Sequence, residues 1–141
     1  ADAEDGMRSL PGHVYIAPGN HHLQVIRNGS ALTCRLDDGP LVSGHRPSVD
    51  VLFRSVAEAA GYNAIGVILT GMGKDGAEGL RLMMDAGAVT VGQDESTCVV
   101  YGMPKAAKAL GGVRSELPLS QIAGHIIECC QHPPEGLTRR G

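Results

Sequence analysis

The fold class of this chain follows from the stretch Ala64-Ile-Gly-Val-Ile-Leu-Thr-Gly-Met-Gly-Lys-Asp-Gly76. Its first six residues form an apolar run, which is typical of a strand buried on both faces of a parallel sheet. The glycine-rich part predicts a loop, and the apolar spacing from about Asp75 to Ala86 predicts a helix. A strand, a loop and a helix in this order indicate one unit of an α/β fold.

The same alternation continues on both sides of this stretch. The predicted elements are an amphipathic helix from Arg46 to Ala60, a buried strand at Ala88 to Val91, a helix at Pro104 to Leu110, a strand at Val113 to Leu117 and a helix at Leu119 to Cys130. Parallel strands joined through helices make right-handed crossovers. We therefore expect a doubly wound, mostly parallel sheet with flanking helices.

The first 40 residues predict a different structure, an antiparallel β-meander or hairpin. The predicted strands are His13 to Ala17, His22 to Arg27 and Ala31 to Leu36, with a turn at Asn28-Gly29 before the last of them. At the other end of the chain, residues 133–141 predict a flexible tail. The catalytic or binding domain is therefore expected to cover residues 1–132.

Composition excludes several classes of protein. The 141 residues are 43% hydrophobic and 19% charged, which is typical of one globular domain. A net charge of −3, with one Phe and no Trp, argues against nucleic-acid binding. No apolar run approaches the roughly 20 residues of a membrane-spanning helix. Four cysteines without a C-x-x-C pair fit a reduced, cytoplasmic protein.

The loop within residues 70–76 is the expected site, because ligands bind at the carboxyl ends of parallel strands. Its three glycines match the G-x-G-x-x-G pattern of dinucleotide-binding proteins, and Asp94 follows at a suitable distance. Asp75, however, would place a carboxylate where a pyrophosphate binds. Asp75-Gly-Ala-Glu78 also matches a capping box, so Asp75 is either a helix N-cap or a carboxylate that orients a histidine.

Four longer motifs occur in one order along most of the chain. They are Pro11-Gly-His-Val-Tyr-Ile-Ala-Pro-Gly19, Arg46-Pro-Ser-Val-Asp-Val-Leu-Phe53, Gly66-Val-Ile-Leu-Thr-Gly-Met-Gly-Lys-Asp-Gly76 and Gln93-Asp-Glu-Ser-Thr-Cys-Val-Val-Tyr-Gly-Met-Pro104. Together they resemble the catalytic domain of the bacterial chemotaxis protein-glutamate methylesterases of the CheB type.

The resemblance implies a hydrolase without a cofactor, in which a serine, a histidine and an aspartate remove methyl esters from glutamates of chemoreceptors. Deamidation of glutamine would use the same groups. The family's aspartate falls on Asp75, and the main-chain N–H that the family uses as an oxyanion donor falls on Met72. Preorganised donors of this kind are typically worth about 10²- to 10³-fold in rate.

The family's serine and histidine segments lie upstream of the part that aligns, so the resemblance covers the later two-thirds of the catalytic domain. We therefore expect this chain to be inactive alone, and Ala1 to be a cut point in a longer polypeptide. The expected partners are the cytoplasmic domains of methylated chemoreceptors, a regulatory phospho-receiver domain and the upstream catalytic segment. The alternative is a non-catalytic module on the same scaffold that docks a receptor or another partner.

Other residues offer weaker candidates. His45 and Ser48 are three apart and could form an internal dyad, although Ser48 is explained more simply as the start of a helix. Adjacent His21 and His22 could bind a metal only with distant acids, because neighbours on a strand point to opposite faces. Asp94, Glu95 and Lys74 are expected to be solvated unless they serve acid chemistry or face an acidic receptor surface.

Overall fold

The computed structural model describes residues 1–132, and the tail predicted at residues 133–141 lies outside them. In chain order the elements are β1 His22–Asn28, β2 Ala31–Asp37, α1 Val49–Ala59, β3 Ile65–Ile68, α2 Ala77–Asp85, β4 Val89–Gln93, α3 Met103–Ala109, β5 Ser115–Leu117 and α4 Leu119–Gln131. Single 3₁₀ turns follow α1 and β4, at Gly61–Asn63 and Glu95–Thr97. Within residues 1–132, no helix has the length and apolar character needed to cross a membrane.

The parallel sheet has the order β3-β4-β5, and both pairings are parallel. One core lies on the face where α1, α2 and α3 pack, around Leu80 and Ile68. A second core lies on the opposite face, where Ile122 and Cys129 of α4 meet Val89 and Val91. Helices therefore cover both faces, and the predicted doubly wound α/β architecture is confirmed.

Burial along the strands shows where the sheet is covered. Every residue of β4 is buried, because β3 and β5 flank this strand and helices cover both faces of the sheet. Only Gly66 and Ile68 of β3 are fully buried, whereas Ile65 and Val67 are partly exposed. Among the described residues β3 pairs only with β4, so the strand predicted to be buried on both faces lies at the sheet edge.

The N-terminal hairpin of β1 and β2 packs on α1. The N–H of Val25 donates to Ser55 Oγ, and the guanidinium of Arg27 donates to the carbonyl of Ala59. Leu23 and Cys34 form a small core together with Leu52 of the helix. The hairpin and the parallel sheet therefore meet through α1, which lies between them.

The strand predicted at residues 13–17 is not formed. Ile16 pairs with Asp2 in one isolated parallel bridge, and its backbone groups bond to Ala1 and Ala3. Val14 and Ile16 are 73% and 57% exposed, so these apolar side chains do not face the core. The hairpin is confirmed, but the third strand of the meander is wrong, because the chain's first residues take the backbone groups that it would need.

Candidate functional site

Asp75 is buried at the carboxyl edge of the parallel sheet, with 5% of its surface exposed. Its carboxylate accepts three hydrogen bonds, all from the beginning of α1. Oδ1 accepts from Ser48 Oγ at 2.8 Å and from the N–H of Asp50 at 3.1 Å, and Oδ2 accepts from the N–H of Val49 at 2.8 Å. All three partners are donors, which suits the ionised form of the carboxyl group.

The interpretation of Asp75 as the N-cap of the following helix is wrong. Helix α2 begins at Ala77 after Gly76, and no side chain caps it from that position. Gly76 has φ of +96°, and a Cβ there would meet Val49 Cγ1 at 2.8 Å. This left-handed turn against α1 directs the Asp75 carboxylate to α1 instead of α2, and Glu78 is exposed at the surface.

Helices α1 and α2 exchange their caps. Asp75 precedes α2 and serves the first N–H groups of α1, while Asp50, in the first turn of α1, accepts from the N–H of Gly79 in α2 at 2.8 Å. A Cβ at Gly79 would lie 2.6 Å from Phe53 Cβ, so the glycine permits the close approach of the two helices. This exchange fixes the Asp75 carboxylate relative to both helices.

Ser48 lies beside Asp75 and His22 lies beside Ser48, but the three do not form a hydrolytic triad. The Ser48 hydroxyl donates to Asp75, whereas His22 Nδ1 accepts from the backbone N–H of Ser48 at 3.2 Å. A nucleophilic serine needs its hydroxyl paired with the imidazole. Ser48 is also 2% exposed, and His45, its predicted dyad partner, is exposed and bonds through its backbone to Val42. The internal dyad is therefore wrong.

Met72 lies in the loop after β3, residues 69–76, which we call the β3 loop. The residue is 81% exposed, and among residues 1–132 no acceptor takes its N–H. Both neighbours are glycines, and Gly73 has φ of +94° with open space around it. The loop therefore presents a free main-chain donor at the carboxyl edge of the sheet.

The β4 loop, residues 94–102, holds the β3 loop in place. The N–H of Gly71 donates to the Val100 carbonyl, and Gly102 and Met103 donate to the carbonyl of Gly71. Thr70 Oγ1 accepts from the N–H of Val100 at 2.9 Å and donates to its carbonyl at 3.1 Å. A side chain at Gly102 would lie 2.7 Å from the Gly71 oxygen, so only glycine permits this contact.

The side-chain amide of Gln93 holds both the β3 loop and the β4 loop. The residue is 1% exposed at the end of β4. Its Oε1 accepts from the N–H of Thr70 at 2.8 Å, and its Nε2 donates to the Thr97 carbonyl at 2.8 Å. The buried Gln93 amide therefore satisfies one backbone group in each loop. A buried backbone group without a hydrogen-bond partner would destabilise the fold.

Tyr101 and Glu116 tie the β4 loop to β5. The tyrosine hydroxyl donates to Glu116 at 2.5 Å, and Lys108 Nζ lies 3.1 Å from the other carboxylate oxygen. The hydrogen bond to Glu116, with burial, raises the pKa of Tyr101 to about 12. The donors Tyr101 and Lys108 lower the pKa of Glu116. The pair is therefore a neutral phenol held by a charged carboxylate at neutral pH.

The glycine pattern has structural causes of its own. Gly71 lies against Met103 Sδ, where a Cβ would come within 2.6 Å, and Gly76 lies against α1. Asp75 faces α1, so the expectation that its carboxylate would lie where a pyrophosphate binds, at the start of α2, is wrong. The packing contacts of Gly71 and Gly76 nevertheless account for these glycines without a bound pyrophosphate.

The remaining polar candidates are placed as follows. Asp94 caps the 3₁₀ turn by accepting from the N–H and hydroxyl of Thr97, while Glu95 and Lys74 are exposed. His21 pairs with Asp38, and His22 bonds to Ser48 and to the Pro40 carbonyl, so the adjacent rings face different surroundings. In the described part of the chain, no group of three metal-ligating side chains comes together.

Sequence reasoning missed the residues that support the site, namely Ser48 as a partner of Asp75, Asp50, His22 and Gln93. The sequence indicates Ser48 as the start of a helix, which the structure confirms, and as a dyad partner of His45, which is wrong. An Asp near the start of a predicted helix and a Gln just after a predicted buried strand are the signals that could have pointed to Asp50 and Gln93. Neither signal predicts which group the side chain bonds to, because the hydrogen-bond partners lie 23 or more residues away in the sequence.

Comparison with known proteins gives one consistent result. Residues 1–126 match the CheB methylesterase family. The chain is 59% identical over 126 residues to the protein-glutamate methylesterase/protein-glutamine glutaminase of Yersinia pestis bv. Antiqua (strain Antiqua), covering 89% of this chain and 36% of that protein. A similarly named protein of Anaeromyxobacter dehalogenans (strain 2CP-C) is 60% identical, with 89% and 35% covered.

A solved structure agrees. The crystal structure of the Thermotoga maritima CheB methylesterase catalytic domain superposes with a TM-score of 0.87 at 39% identity, covering 90% of this chain and 67% of that one. The chain therefore spans about a third of the length of the curated relatives that it matches.

Proposed function

The chain belongs to the CheB methylesterase family, and on that premise we propose that residues 1–132 are the aspartate-bearing part of a protein-glutamate methylesterase catalytic domain. The substrate is the γ-methyl ester of glutamate on the cytoplasmic domain of a chemoreceptor, and glutamine is a second substrate. The proposal places the protein in the cytoplasm, with an upstream catalytic segment and a phospho-receiver domain as partners.

The observation that carries the proposal is the setting of Asp75. An ionised carboxylate has about four acceptor positions, and α1 fills three of them. The remaining position, on Oδ2, suits an imidazole N–H. A buried carboxylate fixed in this way holds a histidine in the required tautomer and stabilises the imidazolium that forms during the reaction.

The reaction then proceeds in two steps. A serine hydroxyl attacks the ester carbonyl while the histidine takes its proton, and the negative oxygen of the tetrahedral intermediate accepts from the N–H of Met72. The histidine returns the proton to the departing methoxide, and methanol leaves. Water, activated by the same histidine, hydrolyses the acyl-serine and releases glutamate. With glutamine, ammonia leaves in the first step.

The serine and the histidine are proposed to come from outside these 141 residues. Ser48 is occupied by Asp75, and His22 bonds to the Ser48 N–H and to Pro40. The chain alone is therefore expected to release no methanol. The upstream segment would seat on the exposed edge of β3, beside Asp75.

The test is methanol release from receptor-bearing membranes that have been methylated with a radiolabelled methyl group. The natural polypeptide that contains this chain is compared with its Asp75→Ala variant and with the 141 residues alone. We expect release from the first, a loss of about 10⁴-fold in the variant, and none from the chain alone.

Two further arms complete the experiment. Met72→Pro removes the main-chain N–H, whereas Met72→Ala keeps it, so only the proline variant is expected to lose about 10²-fold or more. If the natural polypeptide binds receptor segments saturably but releases no methanol, the docking module replaces the enzyme as the function. Full activity in Asp75→Ala would remove this residue from the mechanism.

A further inference from the structure

Ser48 makes the one side-chain hydrogen bond that Asp75 receives within residues 1–132. Its Oγ donates to Asp75 Oδ1 at 2.8 Å, and the residue is 2% exposed. The other two donors are backbone N–H groups at positions 49 and 50, which almost any residue would supply. The identity of residue 48 therefore controls one of the three bonds that fix this carboxylate.

His22 fixes Ser48 from the opposite side. Its Nδ1 accepts from the Ser48 N–H, and its Nε2 lies 2.8 Å from the carbonyl oxygen of Pro40. Both contacts are met by the neutral ring with its hydrogen on Nε2. Because His22 is 2% exposed at the start of β1, the hairpin holds the Ser48 backbone and so directs its hydroxyl toward Asp75.

We propose that Ser48 is a positioning residue for ester hydrolysis, which acts through Asp75 and is itself held by His22. The inference rests on the proposed function. Ser48 Oγ–H orients the carboxylate and withdraws part of its negative charge. Asp75 thus presents a defined and moderated charge to the catalytic histidine.

Removal of the hydroxyl has two separable consequences. The carboxylate loses a fixed orientation, which lowers kcat. Its charge is also less compensated, so it stabilises the imidazolium more strongly, and the pKa of the catalytic histidine rises. The acid limb of the kcat/KM profile, which reports the free enzyme's base, then moves to higher pH. A merely structural role would change the folded fraction and leave this limb in place.

The experiment compares Ser48→Ala with the unsubstituted natural polypeptide in the methanol-release assay across pH. We expect kcat to fall about tenfold, in line with the loss of a hydrogen bond to a charged group, with KM changed by less than about twofold. The acid limb should move to higher pH. Ser48→Thr keeps the hydroxyl and is therefore expected to retain the kcat and the pH profile of the unsubstituted protein.

Ser55→Ala is the matched control. Ser55 lies on α1, the helix that Ser48 precedes, and is 8% exposed. Its hydroxyl donates to the Leu52 carbonyl at 2.7 Å and accepts from the Val25 N–H, away from Asp75. It should lower stability and leave the pH profile unchanged. An acid limb that stays in place in Ser48→Ala, or that moves equally in Ser55→Ala, overturns the proposal.

Asp75→Ala in the same assay separates the two levels of inference. If Asp75→Ala retains activity, the proposed function fails, and the role of Ser48 fails with it. If Asp75→Ala is inactive and Ser48→Ala keeps the original profile, only the role of Ser48 fails. Should the alanine variant not fold, Ser48→Cys, which is nearly isosteric and a weaker donor, supplies the same comparison.

Discussion

Two carboxylates follow neighbouring strands at the same edge of the sheet, and they are used differently. Asp94, after β4, bonds within its own loop, to the N–H and hydroxyl of Thr97. Asp75, after β3, reaches the start of a helix that lies 25 to 27 residues earlier in the chain. The first contact is local, and the second joins two elements.

The difference has a consequence for function. A local cap stabilises one turn, typically by about 1 kcal/mol, and leaves its carboxylate partly exposed. The cap exchanged between α1 and α2 buries Asp75 and fixes its direction relative to the sheet. The proposed role of Asp75 in orienting a histidine depends on this fixed direction, because misplacement by about 1 Å can cost 10²-fold in rate.

The strongest test of this contrast substitutes each carboxylate by its amide. Asp75→Asn in the natural polypeptide should lower kcat about 10⁴-fold, because the amide cannot hold an imidazolium as the carboxylate does. Asp94→Asn should change kcat by less than about twofold, since Asn caps a turn as well as Asp. Methanol release measures both, with denaturation curves to show that each variant is folded. Equal losses would contradict the distinction.

The next largest effect is expected from removing Asp50, the residue that caps α2 from the first turn of α1. Asp50→Ala leaves the buried N–H of Gly79 without its partner, and we expect a loss of about 2 kcal/mol in the free energy of unfolding. Glu78→Ala is the control, because Glu78 is the acid that the capping-box pattern favoured but it is exposed. It should change stability by less than about 0.5 kcal/mol. Chemical denaturation distinguishes the two; a larger loss in Glu78→Ala would restore the capping box.

A third variant acts where the two loops touch. Gly102→Ala places a methyl group 2.7 Å from the Gly71 oxygen and 3.1 Å from the Gly73 nitrogen, both backbone atoms. The β3 loop must move, so we expect about 1–2 kcal/mol of destabilisation and a fall in kcat as the Met72 N–H shifts. Gly124→Ala in α4, which meets no atom within 4 Å, should instead stabilise the protein by about 0.5–1 kcal/mol. An active, stable Gly102→Ala variant would show that the contact is dispensable.

The smallest effect concerns the bond between the β4 loop and β5. Tyr101→Phe should lower the free energy of unfolding by about 1 kcal/mol at neutral pH. Because folding lowers the pKa of Glu116, its contribution is present above the ordinary value of 4.5 and is lost as pH falls through the lower folded value. Because folding raises the pKa of Tyr101, that contribution is present below 10 and is lost as pH rises toward about 12.

The measurement is the difference in unfolding free energy between the two proteins as a function of pH. It should be widest between about pH 6 and 9 and should narrow on both sides. A difference that does not depend on pH would mean that the phenol acts through packing alone.

Much of the fold could be predicted because its signals are local. The apolar run before Thr70 and the spacing of Val49, Leu52 and Phe53 predict a strand and a helix whatever lies around them, and both formed. Residues 13–17 also have strand-like alternation, but a strand needs a neighbouring strand to pair with. Ile16 pairs with Asp2 and not with β1. Local propensity does not specify that choice.

For the candidate site, the sequence determined which groups are available: a glycine-rich loop at a strand end, with Met72 between two glycines, and a carboxylate at Asp75. Only the tertiary structure decided where that carboxylate points. The N–H groups of α2 and those of α1 are chemically equivalent partners for it. Helix α1 packs against α2 at Gly76 and Gly79, and this packing brings the N–H groups of α1 within hydrogen-bonding distance of Asp75. No local sequence pattern specifies the close packing of these two helices.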